Sequence, residues 1–148
     1  MKLSTKGRYG ARAMLELALN YEKGPLRLRE IAQRQEISEM YLERMMTALV
    51  SAGLVRSIRG RHGGFCLARS PGEIPLSQVI EVVEGSIAPV ACVDNPKLCK
   101  RSATCVTIEI WGRLKKAMLD VLDSITLENM VEMQKRKLIK SEVQMYSI

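Results

Sequence analysis

The stretch over residues 37–69 constrains the fold most, because its apolar period changes in the middle. Apolar residues first recur at helical spacing, between Ser38, which can cap a helix, and Gly53, which suits the left-handed position after one. The period then shortens toward two over residues 54–59 and 65–69, on either side of a glycine-rich turn. A helix followed by a basic hairpin predicts a winged helix-turn-helix, in which the helix enters the DNA major groove.

Two further helices are predicted ahead of this stretch, over residues 5–21 and 28–35. Gly24-Pro25 ends the first helix. Glu36-Ile37 turns the chain after the second, without the glycine that is common in helix-turn-helix motifs. Three helices and a hairpin together predict a fold that is mainly α with a small β wing.

A proline and glycine break follows the wing, and Ser77 is expected to cap a helix over residues 78–84 that Gly85 closes. Residues 1–85 are therefore predicted to form the winged helix-turn-helix domain. An irregular loop is expected over residues 86–104. A structureless loop of this length usually has a functional reason.

The helical period returns at Cys105 and continues to about Ile125. Its apolar residues are Ile108, Trp111, Leu114, Met118, Leu122 and Ile125. Because so small a domain cannot cover a stripe of this length, the pattern predicts a long dimerisation helix and a homodimer. Thr126 is expected to cap a last helix to about Lys137 with a frayed end, so that residues 105–148 form the dimerisation helix and a C-terminal helix or tail.

The positive charge of the chain lies in its first half. Residues 1–70 carry 13 Lys and Arg against 6 Asp and Glu, whereas residues 71–148 carry 10 of each. A basic surface steers a protein toward phosphates, so double-stranded DNA is the expected partner. A solvated basic face would give the same count, and charge alone does not separate the two.

The apolar run over residues 13–19 is interrupted by Glu16 and is too short for a signal peptide or a membrane span. We therefore expect a cytoplasmic protein with no membrane partner. In that compartment cysteines are thiols or metal ligands rather than a disulfide framework.

We call the helix predicted between Ser38 and Gly53 the reading helix, and the hairpin over residues 54–69 the wing. The expected DNA contacts lie in the first two turns of the reading helix, on the wing and on the first helix. On the reading helix they are Ser38, Tyr41, Glu43 and Arg44. On the wing they are Arg59, Gly60, Arg61 and His62. Glu43 is suited to accept from a cytosine amino group, Arg59 to enter a narrow A·T-rich minor groove, and Arg8 to face a phosphate. The alternative is a hairpin that needs its glycines for geometry alone.

Enzyme chemistry has little support. The wing loop lacks the Gly-Lys-Ser/Thr ending of a P-loop and opens no helix. His62 is the only histidine, so no Ser/His/Asp or Cys/His set can be assembled. We expect no enzyme and no small-molecule substrate.

Three cysteines carry the chemistry of the second half: Cys92, Cys99 and Cys105. Thiolates are soft ligands for zinc, copper(I) or iron–sulfur clusters. Structural zinc usually takes cysteines two to four residues apart, whereas the wider spacing here suits a larger inorganic core. The residues between them are polar and unsuited to burying unrelated thiols. Cys66, on the second wing strand, is expected to be a small apolar filler.

Four motifs carry a resemblance to a known family. They are Tyr-Leu-Glu at 41–43, Arg-Gly-x-x-Gly-Gly-Phe-x-Leu-Ala-Arg at 59–69, Val-Ile-Glu-Val-Val-Glu-Gly at 79–85, and the three spaced cysteines. With them the chain resembles the bacterial IscR/NsrR family of winged-helix regulators, from Met1 to about residue 130. The resemblance implies a homodimer on a near-palindromic operator with an iron–sulfur cluster in each subunit, 2Fe-2S by preference and 4Fe-4S as the alternative.

The fourth cluster ligand is where the chain departs from the family. IscR-like proteins carry a histidine three residues after the third cysteine, where this chain has Ile108. NsrR-like proteins use an acidic residue near position 8 of the partner subunit, where this chain has Arg8. Glu109 lies one helical turn beyond Cys105 and is the candidate ligand, although oxygen is a harder donor than these irons usually take. The alternatives are Thr107, Asp94, a small thiol or water.

The function that the resemblance implies is a transcription repressor that senses iron–sulfur cluster status and controls cluster-assembly genes. On the same scaffold, the alternatives are a nitric-oxide, iron or redox sensor. Some relatives that lack the cysteines respond to cysteine metabolism through a partner enzyme. From another class, the alternative is a small iron–sulfur electron-transfer protein whose basic face binds an acidic partner.

Overall fold

The computed structural model describes residues 1–147, which form seven α-helices and one antiparallel hairpin. In chain order these are α1 (Thr5–Leu19), α2 (Leu28–Gln35), α3 (Glu39–Ser51), β1 (Val55–Ile58), β2 (Gly64–Leu67), α4 (Leu76–Glu84), α5 (Ala91–Asp94), α6 (Val106–Asp123) and α7 (Leu127–Tyr146). Short 3-10 turns occupy Pro71–Glu73, Pro96–Leu98 and Ser102–Thr104. The predicted class, mainly α with a small β wing, is confirmed. No helix within the described residues is long and apolar enough to cross a membrane.

One apolar core lies between α1, α2, α3, α4 and the hairpin. Met14, Ile31, Leu42 and Met46 are completely buried in it. Leu127, the first residue of α7, is buried in the same core. Burial of an aliphatic side chain is worth about 1.5–3 kcal/mol, so α7 contributes to the stability of the helix-turn-helix part.

The turn between α2 and α3 is made without glycine. Glu36 takes the left-handed conformation there, with φ +54°, and the Ile37 N–H donates to the carbonyl of Ala32 at 3.0 Å. Ser38 then caps α3 as predicted, and its hydroxyl accepts from the Tyr41 N–H. Gly53, with φ +76°, follows the helix end at the predicted position.

The hairpin is short and tied to the chain ahead of α2. Val55 pairs with Leu67 and Ile58 with Gly64. Leu26 and Phe65 exchange two backbone hydrogen bonds, at 2.9 and 2.7 Å. The wing is therefore held against the helix-turn-helix along its second strand.

The predicted start of α4 was wrong. Pro75, not Ser77, is the cap residue, and Ser77 lies inside the first turn with 7% of its surface exposed. The backbone ahead of the helix pairs with the segment ahead of α7, since Leu76 N–H donates to Ile125 at 2.7 Å and Leu127 N–H donates to Ile74 at 3.0 Å. This distant pairing sets where α4 begins.

Other parts of the chain also differ from the prediction. The first helix ends at Leu19, and the loop over 86–104 contains α5 and two 3-10 turns rather than irregular chain. Thr126 caps α7 in a reciprocal pair with Asn129, as expected, but α7 continues to Tyr146 instead of ending near Lys137. Its second half is rich in strong helix formers, which accounts for the extension.

No residue of α6 is buried in this single chain. Val106 and Val121 expose 71% and 59% of their surfaces, and Ile110 exposes 49%. The apolar stripe from Ile108 to Leu122 is half-buried.

Candidate nucleic-acid interface and thiol loop

The reading helix α3 presents polar side chains at its N-terminal end. Ser38, Glu43 and Arg44 are exposed, whereas Tyr41 is half-buried. The Tyr41 ring packs edge-on against Tyr9 of α1, with centroids 5.7 Å apart and planes at 87°. Tyr41 therefore fixes α3 against α1 while its neighbours remain free to face a ligand.

The arginines of α1 surround this aromatic pair. The Arg12 guanidinium carbon lies 5.4 Å from the Tyr9 ring centre, and that of Arg8 lies 6.0 Å away. Arg12 also donates to the Gln35 side chain at 2.7 Å and to its carbonyl, which ties α1 to the end of α2. Arg8 is exposed, as its predicted phosphate contact requires.

The wing tip is exposed and its geometry depends on glycine. Arg59, Gly60, Arg61 and His62 are all exposed. Gly60 has φ +107°, and a Cβ on Gly63 would lie 2.1 Å from the Ile58 carbonyl oxygen. Arg27 donates to the Arg61 carbonyl at 2.8 Å, so the tip is held to the start of α2.

Three arginines of α3 and the wing form no ion pair within residues 1–147. Ion pairs among residues 1–147 join Arg34 to Glu16, Lys115 to Asp94 and Lys116 to Asp120. Arg44, Arg59 and Arg61 take part in none of them. Guanidinium groups without an ion-pair partner on α3 and on the wing are suited to phosphate and base contacts.

The three predicted ligand cysteines lie on consecutive short elements. Cys92 is in α5, Cys99 follows the 96–98 turn and Cys105 is the N-cap of α6. All are half-buried free thiols. This donor set fits an iron–sulfur group in type, because each sulfur is available as a thiolate ligand. As they stand, no three His, Cys, Asp or Glu side chains within residues 1–147 converge to hold a metal ion.

Cys105 has the most polar surroundings of these thiols. Its sulfur lies 3.1 Å from the Thr107 hydroxyl, and this hydrogen bond is the largest cause of a lowered pKa. The backbone N–H groups of Ile108 and Thr107 and the charge of Arg101 lower the pKa of Cys105 further. The thiolate form, which is the form that binds metals, is therefore favoured at the start of α6.

The loop is anchored to α6 by a carboxylate that sequence reasoning treated only as an alternative ligand. Asp94 accepts from Lys115 Nζ at 2.6 Å and from the Ser86 hydroxyl. The Lys115 and Ser86 bonds lower the pKa of Asp94. Glu109 is exposed and takes part in none of the side-chain hydrogen bonds of the described chain, so its ligand role stays a prediction. Nothing in the sequence distinguishes Lys115 from other charged surface positions, so its contact with Asp94 could not be predicted.

The chain matches the Rrf2 family, described as an iron-dependent transcriptional regulator, over residues 3–133. CymR of Bacillus subtilis is 45% identical over 130 residues, which cover 88% of this chain and 89% of that protein. IscR of Pectobacterium carotovorum is 39% identical over 131 residues, covering 88% and 79%.

Solved structures of the same two kinds share the fold. IscR of T. potens superposes with a TM-score of 0.74 at 42% identity, covering 89% of this chain and 87% of that one. The CymR structure, described as that of the global cysteine regulator of B. subtilis, gives a TM-score of 0.73 at 43% identity, covering 89% and 97%. The similarity thus extends to regulators of two kinds.

Proposed function

Because the chain belongs to the Rrf2 family of transcriptional regulators, we propose that it is a dimeric repressor whose affinity for operator DNA depends on an iron–sulfur cluster. Cys92, Cys99 and Cys105 would hold the cluster. The observation that carries the proposal is the position of these three free thiols, on the segment between α4 and the exposed α6. A repressor of this kind acts in the cytoplasm, where thiols stay reduced.

The DNA-binding half of the proposal rests on the exposed end of α3 and on the wing tip. Ser38, Glu43 and Arg44 would face base edges in the major groove, with Arg59 in the adjacent minor groove. The α6 helices of two copies would pack together through their apolar residues and set two reading helices at one spacing. The operator would then be a near-palindrome, because a two-fold dimer reads two half-sites.

The regulatory half rests on how the loop is connected. Lys115 and Ser86 hold Asp94, so the segment with Cys92 is bound both to α6 and to the residues that directly follow α4. When bound, the cluster supplies an iron centre whose oxidation or loss reports the state of the cell. Binding of the three thiolates to the cluster would hold the loop in one conformation. The distance between the two reading helices of the dimer would then differ between the forms with and without the cluster. Couplings of this kind are typically worth about 1–3 kcal/mol.

The test is a titration of anaerobically purified protein, with and without its cluster, against duplexes selected from a random pool at two salt concentrations. We expect steep salt dependence and a difference between the two forms at some sites. Cys92→Ala, Cys99→Ala and Cys105→Ala should each abolish the brown chromophore. Cys66→Ala, the matched control on β2, should keep it.

Two outcomes would contradict the proposal. Equal affinities with and without the cluster at every site would mean that the cluster does not regulate. A chromophore without salt-dependent DNA binding would favour an electron-transfer protein. Absorption and Mössbauer spectra would distinguish 2Fe-2S from 4Fe-4S, and exposure to nitric oxide, iron chelator or oxidant would identify the signal.

A second candidate function is regulation by cysteine metabolism. The observation that favours it is the 45% identity to CymR and the description of that protein as a global cysteine regulator. In that case the three thiols would be dispensable. A triple variant with Cys92, Cys99 and Cys105 replaced by Ala would then bind and release DNA as the unmodified protein does.

A further inference from the structure

A cavity of about 320 Å³ lies between α1, α3 and α4. Three polar side chains line it: Lys6, Tyr41 and Arg44. Four apolar ones line it as well: Met45, Ala48, Val82 and Val83. Its size falls within the range of small-molecule sites, and its mixed lining is typical of them.

The two cations that line the cavity are available to a ligand. Neither Lys6 nor Arg44 belongs to an ion pair among residues 1–147. The charge of Lys6 lowers the pKa of Glu84, but the two form no ion pair, and the Glu84 carboxylate accepts hydrogen bonds from Ser4 and Gly7. A negatively charged group between Lys6 and Arg44 would gain two charge-assisted contacts.

The apolar part of the lining selects among anions. Met45 is 5% exposed, and Val82, Val83 and Ala48 are half-buried. An inorganic phosphate or a DNA phosphate offers nothing that would cover these side chains. An anion with a hydrocarbon body covers them and gains about 25 cal/mol for each Å² of apolar surface removed from water.

We propose that this cavity binds a small amphipathic carboxylate, with the carboxylate between Lys6 and Arg44 and its hydrocarbon part on Met45 and Ala48. For its consequence this inference rests on the proposed function. Arg44 belongs to the proposed DNA contacts, so a bound carboxylate competes with DNA for the same end of α3. The ligand would therefore act as an inducer.

The experiment uses phenylacetate as the probe and the methyl group of Met45, labelled with ¹³C, as the reporter, in the absence of DNA. We expect a saturable shift of the Met45 resonance. Two control compounds should leave the Met45 resonance unshifted at the same concentrations. Acetate has the charge without the ring, and 2-phenylethylamine has the ring with the opposite charge. Arg44→Gln should weaken phenylacetate binding about tenfold or more. Arg136→Gln, a matched loss of charge on α7, should leave it unchanged.

A second variant fills the cavity. Ala48→Phe should remove the Met45 response, and unchanged methyl resonances of the buried Met14 and Met46 would show that the variant is folded. The inference is overturned if Met45 does not shift, or if phenylacetate and phenylethylamine act alike. It is also overturned if Arg44→Gln binds phenylacetate as well as the unmodified chain.

Measuring DNA affinity with and without phenylacetate distinguishes a failure of this inference from a failure of the proposed function. Phenylacetate should raise the Kd for the selected duplex, and acetate should not. Binding of phenylacetate with unchanged DNA affinity would refute the inducer role alone. If the unmodified protein bound none of the duplexes while phenylacetate still shifted the Met45 resonance, the proposed function would be refuted and the cavity site would stand.

Discussion

Glu84, the last residue of α4, accepts a hydrogen bond from the backbone N–H of Gly7 in the first turn of α1, with an N···O distance of 2.9 Å. The same oxygen accepts from the Ser4 N–H at 2.8 Å and from the Ser4 hydroxyl. The Ser4 hydroxyl bond is the largest cause of a lowered pKa at Glu84, followed by the two backbone bonds and the charge of Lys6. A carboxylate at a helix N-terminus thus joins the two helices.

The first prediction concerns the pH dependence of this joint. Because the pKa of Glu84 is lower in the folded protein, its contribution to stability is present at neutral pH and is lost as the pH falls from the usual carboxyl range through the folded pKa. Glu84→Gln should therefore destabilise the protein at pH 7, and the difference in free energy of unfolding should shrink toward pH 3. Urea unfolding at several pH values measures it. Glu142→Gln, on the exposed part of α7, should show no such convergence.

The second prediction concerns the anchor between the loop and α6. Lys115→Gln removes the ion pair with Asp94, so the backbone amides of residues 91–95 should exchange hydrogen faster. The cost in global stability should stay below about 1 kcal/mol, since both partners are partly exposed. Lys116→Gln is the matched control, because Lys116 pairs with Asp120 within α6. Equal exchange rates in the two variants would mean that Lys115 does not hold the loop.

The third prediction concerns the left-handed residue at the end of α2. Glu36→Gly should raise the free energy of unfolding by about 0.5–1 kcal/mol, because glycine adopts φ +54° without strain. Gly53→Ala is the reverse experiment. It should lower the free energy of unfolding by about 1 kcal/mol through backbone strain alone, since an added Cβ would meet no atom of residues 1–147 within 4 Å. Thermal or urea unfolding measures both changes.

The fourth prediction concerns the wing. Arg59→Ala should weaken binding to a selected duplex by about 1–3 kcal/mol, because an arginine in a narrow minor groove meets the most negative potential. Lys116→Ala, on α6, serves as the control for loss of one charge. Glu43→Ala should instead broaden the range of sequences selected. If Arg59→Ala kept its affinity, the wing tip would lie outside the DNA contact.

The fifth prediction concerns the fourth ligand. If the cluster takes Glu109, then Glu109→Ala should leave a cluster with an altered absorption spectrum and a shorter lifetime. Thr107→Val tests the alternative, since the Thr107 hydroxyl is hydrogen-bonded to the Cys105 sulfur at 3.1 Å. A spectrum that changes in Thr107→Val and not in Glu109→Ala would exclude Glu109. Glu132→Ala on α7 controls for loss of a carboxylate.

The reading helix and wing could be predicted because their signals are local. Ser38 and Gly53 bound α3 through contacts with their own neighbours, and the turn glycines are dictated by backbone geometry within the hairpin. The start of α4 could not be predicted, because backbone bonds to residues 125–127 position it. Ser77 has the residue type of a helix cap, but backbone hydrogen bonds to residues 125–127 place the start of the helix ahead of it.

The same distinction applies to the candidate site. The spacing of the three cysteines marks them as candidate ligands, which stays a prediction; Cys92 and Cys99 lie as free thiols on the loop, and Cys105 lies at the start of α6. The partners of Asp94 and Glu84 were not recognisable, since Lys115 and Ser4 are 21 and 80 residues away from them. Lysines and serines occur throughout such chains, and only the packing of the helices shows which of them meet a given carboxylate.

The burial of Leu127 in the core of the helix-turn-helix has a consequence for the order of synthesis. A ribosome makes α1 to α4 first, yet the pocket that Leu127 fills stays open until residue 127 has emerged. Large cavities are costly, so the nascent N-terminal part stays incompletely packed through the translation of α6. The helix-turn-helix part thereby completes its packing only after α6 has been synthesised, so chains released before residue 127 should be less stable than finished ones.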